Sequence, residues 1–344
     1  MADAERYEGD LEAAGRHGVE TDDDRLPGIE APGLYVRHPW LRFVALGDSF
    51  TEGVGDPEPT SPNGVRGWAD RVAEELAEDA PGFAYANLAI RGRLLDQILA
   101  EQVEPAIALQ PDLITISAGG NDMIRPGADP DAIAARFERG VEQLRRTGAT
   151  VVIFTGVDTR FQPVFASMRG RIAIYNENLR AVAAHHNAIV ADQWALRSIQ
   201  RPAMWTDDRL HLNPYGHHEV ARMVLDALAV PNSLRPMAPE AVRPSRWRDA
   251  RVRDIVWARE HLVPWVVRRI RHQSSGDRIS AKRPFAEPLF RPGELDETVA
   301  GAVPGDSALE TGGGSNAPQS PSPLSSPDQF PLDQSSPDQS SPGA

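Results

Sequence analysis

Three short segments of this chain carry residue types that suit acyl transfer. They are Gly47-Asp48-Ser49-Phe50, Gly119-Gly120-Asn121-Asp122 and Asp208-Arg209-Leu210-His211. A serine hydroxyl becomes a nucleophile only beside a base. Ser49 precedes the glycine-rich turn Thr51-Glu52-Gly53-Val54-Gly55, which suits an exposed hydroxyl. His211 is the natural base. Asp208, three residues earlier, can reach one of its ring nitrogens from the same loop, fixing the tautomer and supporting the imidazolium. Asn121 follows two glycines, which let a backbone approach a ligand closely, and its amide can donate to a developing oxyanion. Gly92, at the end of Asn87-Leu88-Ala89-Ile90-Arg91-Gly92, offers a backbone N–H as a second donor, with that of Ser49 as a third.

Each feature alone has a plainer explanation. Ser49 could be a turn serine capping the next helix. Asp208-x-x-His211 could be a surface pair, Gly-Gly-Asn a turn, and Gly92 a loop glycine. His217 and His218 compete for the role of base, but they fall inside a helix opened by Asn213 and Pro214 and read as helix-face residues. His185 and His186 end another helix, with no acid at useful sequence spacing.

The elements that must position these residues alternate. Leu41–Leu46, Phe83–Leu88, Leu113–Ser117, Val151–Thr155 and Ala188–Ala191 read as short buried strands. Trp68–Ala77, Leu94–Val103, Asp131–Arg146, Arg171–His185 and Pro214–Ala229 read as helices. Such alternation predicts a parallel sheet covered on both faces, with ligands at the carboxyl ends of its strands. Ser49, Gly92, Asn121 and the Asp208–His211 loop all follow strands or lie in late loops, so one rim can hold them all.

Composition sets the surroundings. The chain has 344 residues, a net charge of -13 and no cysteine, so it carries neither a disulfide framework nor a thiolate metal site. The acidic balance argues against general nucleic-acid binding. Acid in Met1-Ala2-Asp3-Ala4-Glu5 stands where a signal peptide needs positive charge, and no run of about 18 apolar residues occurs. A cytoplasmic location is the expectation. Four regions are expected: an acidic N-terminal arm over 1–40, a hydrolase-like domain over 41–230, a basic amphipathic helical extension over 231–292, and a disordered Pro/Ser-rich tail over 293–344. The tail repeats Ser325-Ser326-Pro327-Asp328-Gln329 as Ser335-Ser336-Pro337-Asp338-Gln339. Within the extension, 246–271 interleaves Trp247, Trp257 and Trp265 with arginines. It reads as a helix packed on the domain, as a peripheral membrane contact, or as a partner of the acidic 1–32 arm in cis or in another subunit.

Taken together, Gly47-Asp48-Ser49-Phe50, Asn87…Gly92, Gly119-Gly120-Asn121-Asp122 and Asp208-x-x-His211 resemble the four blocks of the SGNH (GDSL-like) hydrolase superfamily, over about residues 41–230. Phe50 replaces the leucine of the family's name. The resemblance implies a flavodoxin-like three-layer α/β/α sandwich with five parallel strands. It implies Ser49 as nucleophile, His211 as base, Asp208 as orienting acid, and Ser49, Gly92 and Asn121 as the oxyanion hole. The better-known α/β-hydrolase motif fails, because Gly-x-Ser-x-Gly would need glycine where Thr51 stands. No His-Glu-x-x-His occurs, so metal-assisted hydrolysis is not expected, and neither metal nor cofactor is anticipated. The expected activity is hydrolysis of short-chain or small-molecule carboxylic esters through an acyl-enzyme. The alternatives are a lysophospholipase or thioesterase acting on lipid acyl groups, and a binding module that keeps the fold without the chemistry. The loops expected to shape the pocket are Gly55–Gly67 and Asp158–Arg169; oligomeric state stays open.

Overall fold

The computed structural model describes residues 38–78, 80–162, 165–239, 259 and 276–289, all within the first of the two units into which the chain divides, Met1–Glu297. The expectations for 1–37, for the helix over 246–271 except Arg259, and for the tail lie outside the described residues.

Alternation along each strand builds the layers. In β1 (Arg42–Gly47), Phe43 and Ala45 face one side of the sheet while Val44 and Leu46 face the other. The first side meets α2 (Gly67–Ala77) and α7 (Pro214–Ala227) through Trp68, Val72, Leu76, Val220 and Val224. The second meets α3 (Leu95–Ala108), α5 (Pro130–Arg145) and α6 (Arg169–His186) through Ile98, Phe137, Val141 and Leu179. The result is a helix–sheet–helix sandwich, as the sequence implied. Between these elements run β2 (Ala84–Asn87), β3 (Leu113–Ser117), β4 (Thr150–Phe154) and β5 (Ile189–Ala191). Two one-turn helices, α1 (Ser49–Glu52) and α4 (Gly120–Met123), follow β1 and β3 directly. No helix among the described residues is long and apolar enough to cross a membrane.

Among the described residues the sheet has six strands rather than the expected five, in the order β5-β4-β3-β1-β2-β6. The five anticipated strands pair in parallel. The sixth, β6 (Arg283–Pro288), runs antiparallel on the outer edge of β2, pairing Ala84 with Pro288 and Asn87 with Arg283. It lies in the segment expected to be helical. Two prolines disguise it, but proline is tolerated on an edge strand, where its missing N–H can face away from the neighbouring strand. The chain's single lysine anchors it: Lys282 Nζ, fully buried, sits 2.5 Å from Asp70 Oδ2 and donates to the Arg66 carbonyl at 2.6 Å.

The other edge of the domain also begins earlier than expected. His38 and Trp40, assigned by sequence to the acidic arm, are buried, with Trp40 Nε1 donating to Thr150 Oγ1 at 3.1 Å.

Candidate active site

β1 is flanked by β2 and β3, so the chain leaves it in opposite directions and a crevice opens at its carboxyl end. Ser49 occupies that end. Its approach is fixed by the buried Gln102, whose side-chain amide accepts from Gly47 N–H (2.8 Å) and donates to Gly47 O (2.9 Å). Position 47 requires glycine: φ is +156°, and a Cβ there would collide with the Thr51 hydroxyl and lie 2.8 Å from Ser117 O. Asp48 then caps α1 by accepting from Phe50 N–H at 3.1 Å. Phe50 stacks on Trp68 at 5.5 Å and meets Phe154 edge-on at 5.5 Å, a packing role that a bulky apolar residue fills well.

The loop carrying Asp208 and His211 is a tight return. Trp205 and Leu212 form an isolated antiparallel bridge, Thr206 N–H donates to His211 O (2.9 Å), and Arg209 takes a φ of +59°. Gln162 Nε2 holds Arg209 O at 2.9 Å, and Asn213 caps α7 through Gly216 N–H. Within this return Asp208 is saturated. Its Oδ1 accepts from Thr206 Oγ1 (2.6 Å), Leu210 N–H (2.8 Å) and His211 N–H (3.0 Å), while Oδ2 lies 2.6 Å from His211 Nδ1. Burial alone would raise this carboxyl's pKa. The hydrogen bond and charge of His211, with the Thr206 hydroxyl and backbone N–H, outweigh it and hold the group well below the usual carboxylate range.

Asn121, at the start of α4, directs Nδ2 to Asp48 Oδ2 (2.9 Å) and to Arg93 O (3.1 Å). It thereby ties the three segments around β1, β2 and β3 together. The left-handed Gly119, two residues before Asn121, could not carry a Cβ without striking the Tyr175 hydroxyl, which donates to Ala118 O at 3.1 Å. Asp48 is buried, which pushes its pKa up to about 6 despite the Phe50 N–H, the His211 charge and the Asn121 amide. Asp122 serves the scaffold instead, since its Oδ2 accepts Leu95 N–H at 2.9 Å and pins the start of α3.

Ser49, Asn121 and His211 line one cavity of about 210 Å³. Gly92 is not among its lining residues; it sits in the turn after Ile90, next to the Arg93 carbonyl that holds Asn121. Asp208 stands behind His211 rather than on the wall. The wall is mainly apolar, with Phe154, Phe161, Phe165, Met168, Ile172 and Trp205. Of the two loops expected to shape the pocket, Asp158–Arg169 contributes and Gly55–Gly67 does not. The latter is folded onto α2, where the Asp56 carboxylate takes Gly67 N–H at 2.9 Å and pairs with Arg71.

The competing histidines resolve by environment. His217 is fully buried, accepting from Trp68 N–H (3.2 Å) at Nδ1 and meeting Val54 O (3.2 Å) at Nε2; burial pushes its pKa down to about 4, so it stays neutral. His218 Nε2 engages Arg235 O at 2.7 Å. His185 and His186 have an acid that sequence spacing does not show: Glu138 reaches both from α5. Sequence reasoning also missed Trp205 as a wall residue and Glu52. The fully buried Glu52 carboxylate takes Arg91 N–H at 2.7 Å and Arg91 Nε at 3.0 Å, fastening the turn that contains Gly92. Its only sequence signal was an acid four residues past the block's aspartate.

With this geometry in place, known proteins supply the family. The GDSL-like Lipase/Acylhydrolase family matches residues 45–219, just over half of the 344 residues. The chain belongs to that family. It is an SGNH-type ester hydrolase. A curated relative, an arylesterase of Vibrio mimicus, is 24% identical over 187 residues, covering 54% of this chain and 88% of the relative. Among solved structures, an alpha/beta hydrolase enzyme from the metagenome of Lake Arreo, Spain, has a TM-score of 0.50 at 22% identity, covering 58% of this esterase and all of that chain. At that identity the likeness is one of fold. Axe2, an acetylxylan esterase of Geobacillus stearothermophilus, has a TM-score of 0.47 at 20% identity, covering 57% of this chain and 97% of its own.

Proposed function

We propose that this esterase cleaves small carboxylic esters with a short, apolar acyl or aryl group, through an acyl-enzyme on Ser49. The observation that carries the reading is that Ser49 and an Asp208-paired His211 line one small, mainly apolar cavity. In this mechanism His211 Nε2 removes the Ser49 proton as the hydroxyl oxygen attacks the ester carbonyl. Asp208 holds the proton on Nδ1 and faces the imidazolium that forms. The oxyanion is met by the N–H groups of Ser49 and Gly92 and by the Asn121 amide. Both amide hydrogens of Asn121 are already engaged, with Asp48 and Arg93 O, so the oxyanion has to share the second of these bonds. His211 then protonates the leaving alcohol, and water repeats the sequence on the acyl-enzyme.

The cavity size favours short acyl groups over the lipid acyl reading, since about 210 Å³ falls below the roughly 300–1,000 Å³ typical of drug-sized ligands. Hydrolysis of p-nitrophenyl esters from acetate to palmitate tests this. Highest kcat/KM at two to four acyl carbons is expected. A maximum at long chains would move the substrate to lipid acyl groups.

A further inference from the structure

Away from the ester cavity, α5 and α6 bring three metal-binding atoms together. Glu138 Oε1 lies 2.9 Å from His185 Nδ1 and 3.1 Å from His186 Nε2, and the three ligand atoms all fall within 4.8 Å of one another. Successive residues of a helix normally point about 100° apart. Here both imidazoles lean onto the same carboxylate oxygen, presenting different ring nitrogens, with their centroids 4.5 Å apart.

We infer that Glu138, His185 and His186 form a surface site for a divalent transition-metal ion of the zinc class. Zinc holds imidazole nitrogens at about 2.0–2.1 Å and carboxylate oxygens at about 2.0–2.2 Å, so neighbouring ligands of a tetrahedral ion stand about 3.3–3.4 Å apart. The two nitrogen–oxygen separations need to open by only a few tenths of an ångström, which small rotations of exposed rings provide. Two neutral imidazoles and one carboxylate suit zinc, copper or nickel rather than calcium or magnesium, which prefer all-oxygen shells. His185 is largely exposed, which leaves an entry path and a fourth position for water. Both histidines lie in the last turn of α6, where the helix's partial negative charge favours a cation. The Arg145 guanidinium, at the end of α5, is turned onto backbone carbonyls, donating to His186 O at 2.9 Å and to Ala149 O.

The ion would join α6 to α5. Tyr175, where α6 meets the cavity, lies eleven residues before His186, about 16 Å along the helix. The site therefore acts on stability and not on the ester chemistry, and it stands whatever the fate of the Ser49 assignment.

The test uses the full chain after EDTA treatment and dialysis. Zinc titration by calorimetry and cobalt titration by visible absorption are run on the wild type, on Glu138→Gln and on the His185→Ala/His186→Ala double variant. One zinc per chain, tetrahedral cobalt absorption and a Tm that rises with zinc are expected for the wild type. In the double variant zinc affinity falls by more than the roughly 10–100-fold that losing a mere supporting group brings, and p-nitrophenyl acetate turnover is unchanged. No zinc binding by the wild type overturns the inference. So does undiminished zinc binding by the folded double variant, since the ion would then sit elsewhere.

Discussion

Replacing Asp208 by asparagine separates two jobs that one carboxylate performs. Oδ1 accepts three donors that shape the return loop, while Oδ2 faces His211 Nδ1. An asparagine can place its carbonyl oxygen where Oδ1 was and keep all three loop bonds. Its NH2 then faces Nδ1 and forces that nitrogen to accept, which puts the ring proton on Nε2. In that tautomer His211 cannot take a proton from Ser49. Loss of the correct tautomer and of the carboxylate charge lowers kcat by about 10⁴ in serine hydrolases, or about 5.5 kcal/mol of barrier. Alanine would in addition remove the three loop bonds, at about 1 kcal/mol each. The expected pattern is therefore Asp208→Asn folded but with a lower Tm near pH 7, because a carboxylate whose pKa folding lowers is gone, and about 10⁴-fold lower kcat, with Asp208→Ala equally inactive and about 3 kcal/mol less stable again. Steady-state kinetics on p-nitrophenyl butyrate and urea unfolding read both. If Asp208→Asn folds normally and keeps kcat within tenfold of wild type, the tautomer argument is wrong.

Three further outcomes follow from buried charges. Glu52→Ala should release the Arg91–Gly92 turn and lower kcat more than it changes KM, whereas Glu52→Gln, which still offers an acceptor to Arg91 N–H, should recover part of the loss; matching kinetics in both variants would remove Glu52 from any positioning role. Asp48, pushed up to about 6 by burial, stabilises the folded state below about pH 4 relative to its ionised form, and that contribution is lost as pH rises through about 6. Asp48→Asn abolishes this loss, so its stability relative to wild type should improve by about 2 kcal/mol between pH 4 and pH 7; a difference flat with pH in denaturant unfolding refutes the assignment. Lys282→Ala leaves the Asp70 carboxylate buried without its ammonium partner and should cost about 3–5 kcal/mol at pH 8, less in acid where Asp70 can protonate; a Tm unchanged at pH 8 would show that the edge strand does not depend on this pair.

Much of the candidate site's placement was legible because its signals are local. Ser49, Asn121 and the Asp208–His211 return each follow a strand or a turn whose ends glycine, proline or asparagine mark, and the buried runs Leu113–Ser117 and Thr150–Phe154 are visible in their β-branched residues. What stayed hidden depends on pairing across long separations. β6 is nearly two hundred residues from β2 and carries prolines that argue against a strand. Glu138 finds His185 and His186 only because α5 and α6 pack side by side, and Glu52 finds Arg91 only because the turns after β1 and β2 meet. Trp205 gave no sign of facing the cavity, since its place depends on the bridge to Leu212.

The central claim is that Ser49 is the nucleophile, and its most direct test is turnover of p-nitrophenyl acetate by the full chain and by Ser49→Ala, with circular dichroism to verify folding. Serine-dependent hydrolysis that falls by at least about 10⁴-fold in the folded variant is the expected result. Ser49→Ala retaining turnover within tenfold of the wild type would contradict it and place the chemistry on another residue.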